Sequence, residues 1–177
     1  MVAVCRVGAP MPATARIALS REARAVGRVA GKEPPSETAR LWADVLGKVP
    51  LFAGVPARQV RKIASLGTVA RFDAKEPIVS AGDPGEGFYV ILSGRANVRR
   101  GSGRAVAEIG PGAYFGEMAL LDGAPRSATI VAETETACLM LTRRRFAKVL
   151  RGEPSVAFAL LGTLAARVRE LEASPAD

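Results

Sequence analysis

The sequence predicts a mainly β protein, an antiparallel β-barrel or jelly roll (a double-stranded β-helix) with helices before and after it. Three observations predict it. Between Thr68 and Thr142, short runs rich in Val, Ile, Phe and Tyr are broken by Gly, Pro or Asp about every eight to twelve residues. On either side, apolar residues recur at helical spacing. The length of 177 residues has room for one well-packed domain plus a short extension.

Residues 1–35 are rich in Ala, Arg, Gly and Pro without a firm period, and read as a disordered basic extension. The domain is expected over 36–174. Ser36 follows Pro34-Pro35 as an N-cap, and Leu41, Trp42, Val45 and Leu46 then form one helical face. A second helix opens near Pro56, turns Val60, Ile63, Ala64 and Leu66 inward, and stops at Gly67. Strands are expected near 68–72, 77–80, 87–93, 95–99, 104–109, 126–132 and 136–142. The turns between them are Gly82-Asp83-Pro84-Gly85, Ser93-Gly94, Gly101-Ser102-Gly103 and Gly110-Pro111-Gly112. Helix returns at Arg143–Arg151, and after the break at Pro154 runs to about Glu172.

Composition removes several classes of function. Histidine is absent, which excludes His-based general catalysis, Ser-His-Asp and Cys-His nucleophiles, and nearly all zinc sites. Two cysteines are too few for an iron–sulfur cluster. Cys138, inside the apolar run ACLML, reads as a small core residue rather than half of a disulfide with Cys5. No catalytic residue, metal ligand or cofactor is assigned. Glu117 with Asp122 as an acid/base pair lacks any supporting set of groups, so an enzyme is not expected.

No run reaches the 18 or so apolar residues that a bilayer requires, and no secretory leader is visible; a cytoplasmic location is the expectation. The net charge of +8 raises the question of nucleic acid, yet half of that excess lies in the first forty residues. Only Arg143-Arg144-Arg145 forms a tight basic cluster. It reads as a solvated helix start, or alternatively as a contact for an acidic partner.

The segment Phe115–Thr129, FGEMALLDGAPRSAT, concentrates the chemistry. A β-run ends at Tyr114-Phe115, and Gly116 to Leu121 have room for a turn or two of helix before Asp122-Gly123-Ala124-Pro125 breaks the chain. Backbone N–H groups at such a start suit an anion, and Gly116 lets a ligand approach because it has no Cβ. Arg126, expected on a strand beginning there, offers a planar fork suited to phosphate oxygens. Glu117 repels an anion and is suited instead to accept hydrogen bonds from a hydroxyl such as one on a ribose. The plainer alternative is a Glu117–Arg126 pair that ties the loop to the strand.

These residues closely resemble the phosphate-binding cassette of the cyclic nucleotide-binding domain family, shared by the catabolite activator protein, the regulatory subunits of cAMP-dependent protein kinase and cyclic-nucleotide-gated channels. Leu51-Phe52-Ala53-Gly54-Val55-Pro56 resembles the family's entry into its first helix. Ile78–Gly94, IVSAGDPGEGFYVILSG, resembles its early barrel strands, so the likeness covers roughly residues 46–172.

The resemblance implies that Glu117 holds the ribose 2′-hydroxyl and Arg126 the cyclic phosphate. Backbone amides of Gly116, Glu117, Met118 and Ala119 supply further donors, and Ser127 a hydroxyl. It implies C-terminal hinge and lid helices, with Leu161 or Leu164 pressing on the base. The ligand is expected to be cAMP, with cGMP left open.

Ala157, Leu161, Leu164, Val168 and Leu171 form a heptad-like seam, which either caps the base or zips against a second copy as a homodimer. With six residues after Leu171, no DNA-binding domain and no membrane segment are expected. The expected function is a sensing module that relays binding through its C-terminal helices to a separate protein effector. The alternative is a degenerate, ligand-free interaction scaffold of the same fold.

Overall fold

Two strands set the architecture. β3 (Gly87–Ser93, GFYVILS) and β8 (Thr136–Thr142, TACLMLT) are apolar at nearly every position, as strands buried on both faces are. In the computed structural model, which describes residues 36–101 and 104–173, they pair in the middle of a four-stranded sheet. Its edges are β1 (Thr68–Phe72), against β8, and β6 (Tyr114–Phe115), against β3. A second four-stranded sheet runs in the order β2 (Pro77–Val79), β7 (Thr129–Ala132), β4 (Ala96–Arg100), β5 (Arg104–Ile109). Every pairing is antiparallel. This is the predicted two-sheet jelly roll with flanking helices.

Alternation along β3 divides the interior into two cores. Ile91 joins Ile78, Val98, Ile109, Phe115, Ile130 and Cys138 between the sheets. Phe88, Val90 and Leu92 face the other way, into a cluster built with the helices. α1 (Ser36–Gly47), a 3-10 turn (Pro50–Phe52) and α2 (Ala57–Ser65) supply that cluster from the N-terminal side. α2 buries Val60, Ile63 and Ala64 and leaves Arg58, Arg61 and Lys62 in solvent. From the C-terminal side come α4 (Arg143–Gly152), with Phe146 and Val149, and the first turns of α5 (Pro154–Ala173), with Val156 and Leu160. Phe146 stacks on Phe88 at 4.7 Å, which fixes α4 against the back of the sheet. Here α3 denotes the short helix Glu117–Asp122 at the mouth of the barrel.

Several boundaries differ from expectation for local reasons. The strand expected over 95–99 starts at Ala96, because the Arg95 N–H donates to Thr134 Oγ1 at 3.1 Å instead of joining the ladder. Pro56 caps α2 rather than entering it. The strand expected over 126–132 starts only at Thr129. The Arg126 N–H donates to the Asp83 carbonyl and its carbonyl accepts from the Gly82 N–H, both at 2.9 Å, so its backbone bridges to the loop before β3.

Eight strands form among the described residues, Tyr114–Phe115 being the short addition. Cys138 is fully buried as expected, and burial pushes its thiol pKa up. The extension predicted over 1–35, and Cys5 within it, lie outside the described residues. No single helix among those described is long and apolar enough to cross a membrane.

Candidate functional site

The site begins where β6 ends. Gly116 has φ +91°, a left-handed conformation that turns the chain out of the sheet and into α3. α3 lasts six residues and ends on a second left-handed glycine, Gly123 at φ +75°. The Asp122 carboxylate accepts from the Ala124 N–H at 2.9 Å, bending the chain toward Pro125 and Arg126.

Arg126 is 6% exposed, an unusual burial for a guanidinium. Its Nη1 donates to the Gly116 carbonyl at 3.0 Å and its Nη2 to the Gly87 carbonyl at 2.7 Å. The Tyr89 ring lies beneath it, 5.8 Å from the guanidinium carbon, and is itself stacked on Phe115 at 5.2 Å. Burial draws the Arg126 pKa below its ordinary value, opposed by Tyr89 and Glu117, and the group stays charged at any working pH. Glu117, the first residue of α3, is 3% exposed. Two oppositely charged side chains are thus buried at one mouth of the barrel, around a glycine.

The glycine's lack of a side chain has a concrete use. A Cβ at Gly116 would overlap the Arg126 guanidinium and come within 2.7 Å of the Gly87 carbonyl oxygen. At Gly85, a Cβ would lie 2.5 Å from that of Ala119, so the loop before β3 rests directly on α3.

Of the predicted residues, Gly116, Glu117, Ala119 and Arg126 converge here. The Met118 side chain points outward, 42% exposed, so a role for that residue falls to its backbone. Ser127 is exposed beside Arg126. Leu164 is half-buried against the helical core, while Leu161, 60% exposed, belongs to neither core cluster. α5 packs chiefly on the 3-10 turn and α4.

Sequence reasoning missed two supports of Arg126 and one contact behind the cassette. Tyr89 and the Gly87 carbonyl lie in a stretch that reads as plain barrel strand. Arg143 was grouped with a solvated basic triplet, yet its guanidinium reaches the carbonyls of Gly85, Ala119 and Leu120. All three side chains of the triplet are exposed, but they differ in what they reach, Arg145 donating to Thr68 Oγ1 at 3.3 Å. The first turn of α4 carries three arginines and no acidic residue, so nothing local in the sequence singles out Arg143.

Comparison with known proteins gives the family. Residues 69–153 match the family model described as the cyclic nucleotide-binding domain. The chain belongs to that family. Over 127 residues this cyclic nucleotide-binding domain is 37% identical to the cyclic AMP receptor protein of Thermus thermophilus, across 70% of this chain and 59% of that one. Over 121 residues it is 36% identical to glutaminase 2 of Bradyrhizobium diazoefficiens, across 68% of this chain and 19% of the glutaminase. The crystal structure of the N-terminal domain of a transcriptional regulator from Streptomyces coelicolor superposes with a TM-score of 0.62 at 33% identity, covering 76% of this chain and 99% of that one. The chain spans less than two thirds of the length of either curated relative. Among its described residues there is no group of three or more Cys, Asp or Glu placed to hold a metal ion.

Proposed function

We propose that this cyclic nucleotide-binding domain binds cAMP at the cassette and relays occupancy through α4 and α5 to a protein effector in the cytoplasm. The observation that carries the reading is the burial of both Arg126 and Glu117 on either side of the left-handed Gly116. Arg126 supplies a charged fork for the cyclic phosphate, and Glu117 an acceptor for the ribose 2′-hydroxyl. Gly116, Glu117, Met118 and Ala119 contribute amides, and Ser127 a hydroxyl, with Leu161 or Leu164 pressing on the base when α5 closes. The names of the relatives support cAMP over cGMP, since one is a cyclic AMP receptor. The module is regulatory, not catalytic; a match confined to 19% of an enzyme supports a binding domain found beside different outputs.

The outward side of α5 supports a homodimer. Phe158, Leu161 and Val168 are 73%, 60% and 52% exposed. At 100° per residue they fall within a sector of about 80°. The seam predicted earlier is therefore narrower on its exposed side, with Leu164 turned inward; the Leu171 side chain lies outside the described residues.

Calorimetric titration of the full chain with cAMP and with cGMP tests the reading. Saturable heat with cAMP at micromolar concentration, stronger than with cGMP, is the expected result. No heat with either at high micromolar concentration would overturn it and favour a ligand-free scaffold.

A further inference from the structure

Arg143 stands where its own helix gains least from it. It is the first residue of α4, after the N-cap Thr142, in a first turn without any acidic residue. A cation at the positive end of a helix is unfavourable. Its contacts lie elsewhere. Nη2 donates to the carbonyls of Gly85 and Ala119, both at 3.0 Å, and Nη1 to the carbonyl of Leu120 at 3.2 Å. Ala119 and Leu120 belong to the last four residues of α3, whose carbonyls have no acceptor role inside so short a helix. There a cation meets the negative end of the dipole. The Arg143 backbone N–H donates to the Glu86 carbonyl at 3.0 Å.

Two arginines therefore grip the same pair of elements from opposite ends. Arg126 holds Gly87 and Gly116, the ends of loop and cassette nearest the barrel. Arg143 holds Gly85 and the far end of α3. Between them the loop and α3 touch at Gly85 and Ala119, with no space for a further carbon.

We infer that Arg143 is the positioning residue that carries occupancy of the Arg126 site to α4 and α5. The inference rests on the nucleotide reading above. An anionic phosphate competes with the Gly116 and Gly87 carbonyls for the Arg126 guanidinium. Loop and α3, packed without slack, then shift as one body. Arg143, hydrogen-bonded to both, takes the start of α4 with them. The ligand favours whichever hinge position gives it more contacts, and Arg143 makes that position common to cassette and helix.

Hydrogen–deuterium exchange on the full chain tests this, with wild type, Arg143→Ala, Arg143→Lys and the exposed neighbour Arg144→Ala, each first shown to be folded by circular dichroism. Without ligand, Arg143→Ala should speed exchange in both α3 and α4, and Arg144→Ala in neither. With saturating cAMP, Arg143→Ala should bind within about threefold of wild type yet lose most of the exchange response over residues 143–173. Arg143→Lys, which keeps the charge without the fork, should restore part of it. A full helix response in Arg143→Ala would overturn the inference. So would unchanged α3 exchange without ligand, or an affinity loss as large as that of Arg126→Ala. Failure of wild type to bind cAMP would instead overturn the nucleotide reading and the relay with it, while the ligand-free comparison would still decide whether Arg143 ties α3 to α4.

Discussion

Replacing Arg126 by alanine tests the site in the absence of any ligand. The side chain is 6% exposed and satisfies two backbone carbonyls, those of Gly116 at 3.0 Å and Gly87 at 2.7 Å. An acceptor left unpaired in the interior costs about 1–3 kcal/mol. Gly116 is only half-buried, and water entering the vacated space recovers part of the loss. A destabilisation of about 2–4 kcal/mol is the expected sum. For a domain of this size that lowers the melting temperature by about 6–12 °C. Urea unfolding followed by the emission of Trp42 measures it directly, since Trp42 is the single tryptophan and is buried in the helical core. cAMP affinity should fall by about 10–150-fold, as removal of a charge-assisted hydrogen bond does. Arg126→Lys should lie between the two in both measurements, because an ammonium cannot span both carbonyls as a fork does. A variant Arg126→Ala as stable as wild type within about 0.5 kcal/mol would refute the claim that the guanidinium braces the cassette.

Three further predictions follow from the same structure. Gly116→Ala forces a side chain into the left-handed region and onto Arg126, so it should destabilise by about 1–3 kcal/mol in urea and weaken cAMP binding together; retention of both at wild-type values would contradict the geometry. Cys138, with its thiol buried and its pKa raised, should stay unmodified by iodoacetamide at pH 8 in the folded protein and react once urea unfolds it, as peptide mass spectrometry would show. Leu161→Glu should convert a dimer to a monomer in sedimentation velocity without loss of fold, because the residue is 60% exposed; an unaltered sedimentation coefficient would rule out α5 as the interface.

Much of the architecture was legible in the sequence because it depends on periodicity and turn chemistry. The double-sided burial of β3 follows from GFYVILS, and the turns at Gly82, Gly94 and Gly112 follow from their glycines, all three at positive φ. Gly116, Glu117 and Arg126 were legible through type and spacing. The residues that hold Arg126 in place were not. Gly87 contributes a carbonyl, which every residue has, and Tyr89 contributes the face of a ring that a strand would bury anyway. Arg143 was hidden for a different reason: its partners are three carbonyls from two distant segments, and no local pattern announces a tertiary helix cap.

The alternation along β3 sets two neighbours to opposite duties. Tyr89 faces the barrel, under the guanidinium of Arg126, and Phe88 faces backward onto Phe146 of α4. One strand is thus a party wall between the cassette and the helical layer, each room furnished by every second residue. A slip that carried Tyr89 into the place of Phe88 would put a phenol under α4 and Val90 under the arginine. The bulge between Ile91 and Ser93 shows that the strand does change register against β8, but only beyond that pair of aromatics. Insertions and deletions should accordingly be tolerated past Ile91 long before they are tolerated ahead of Phe88.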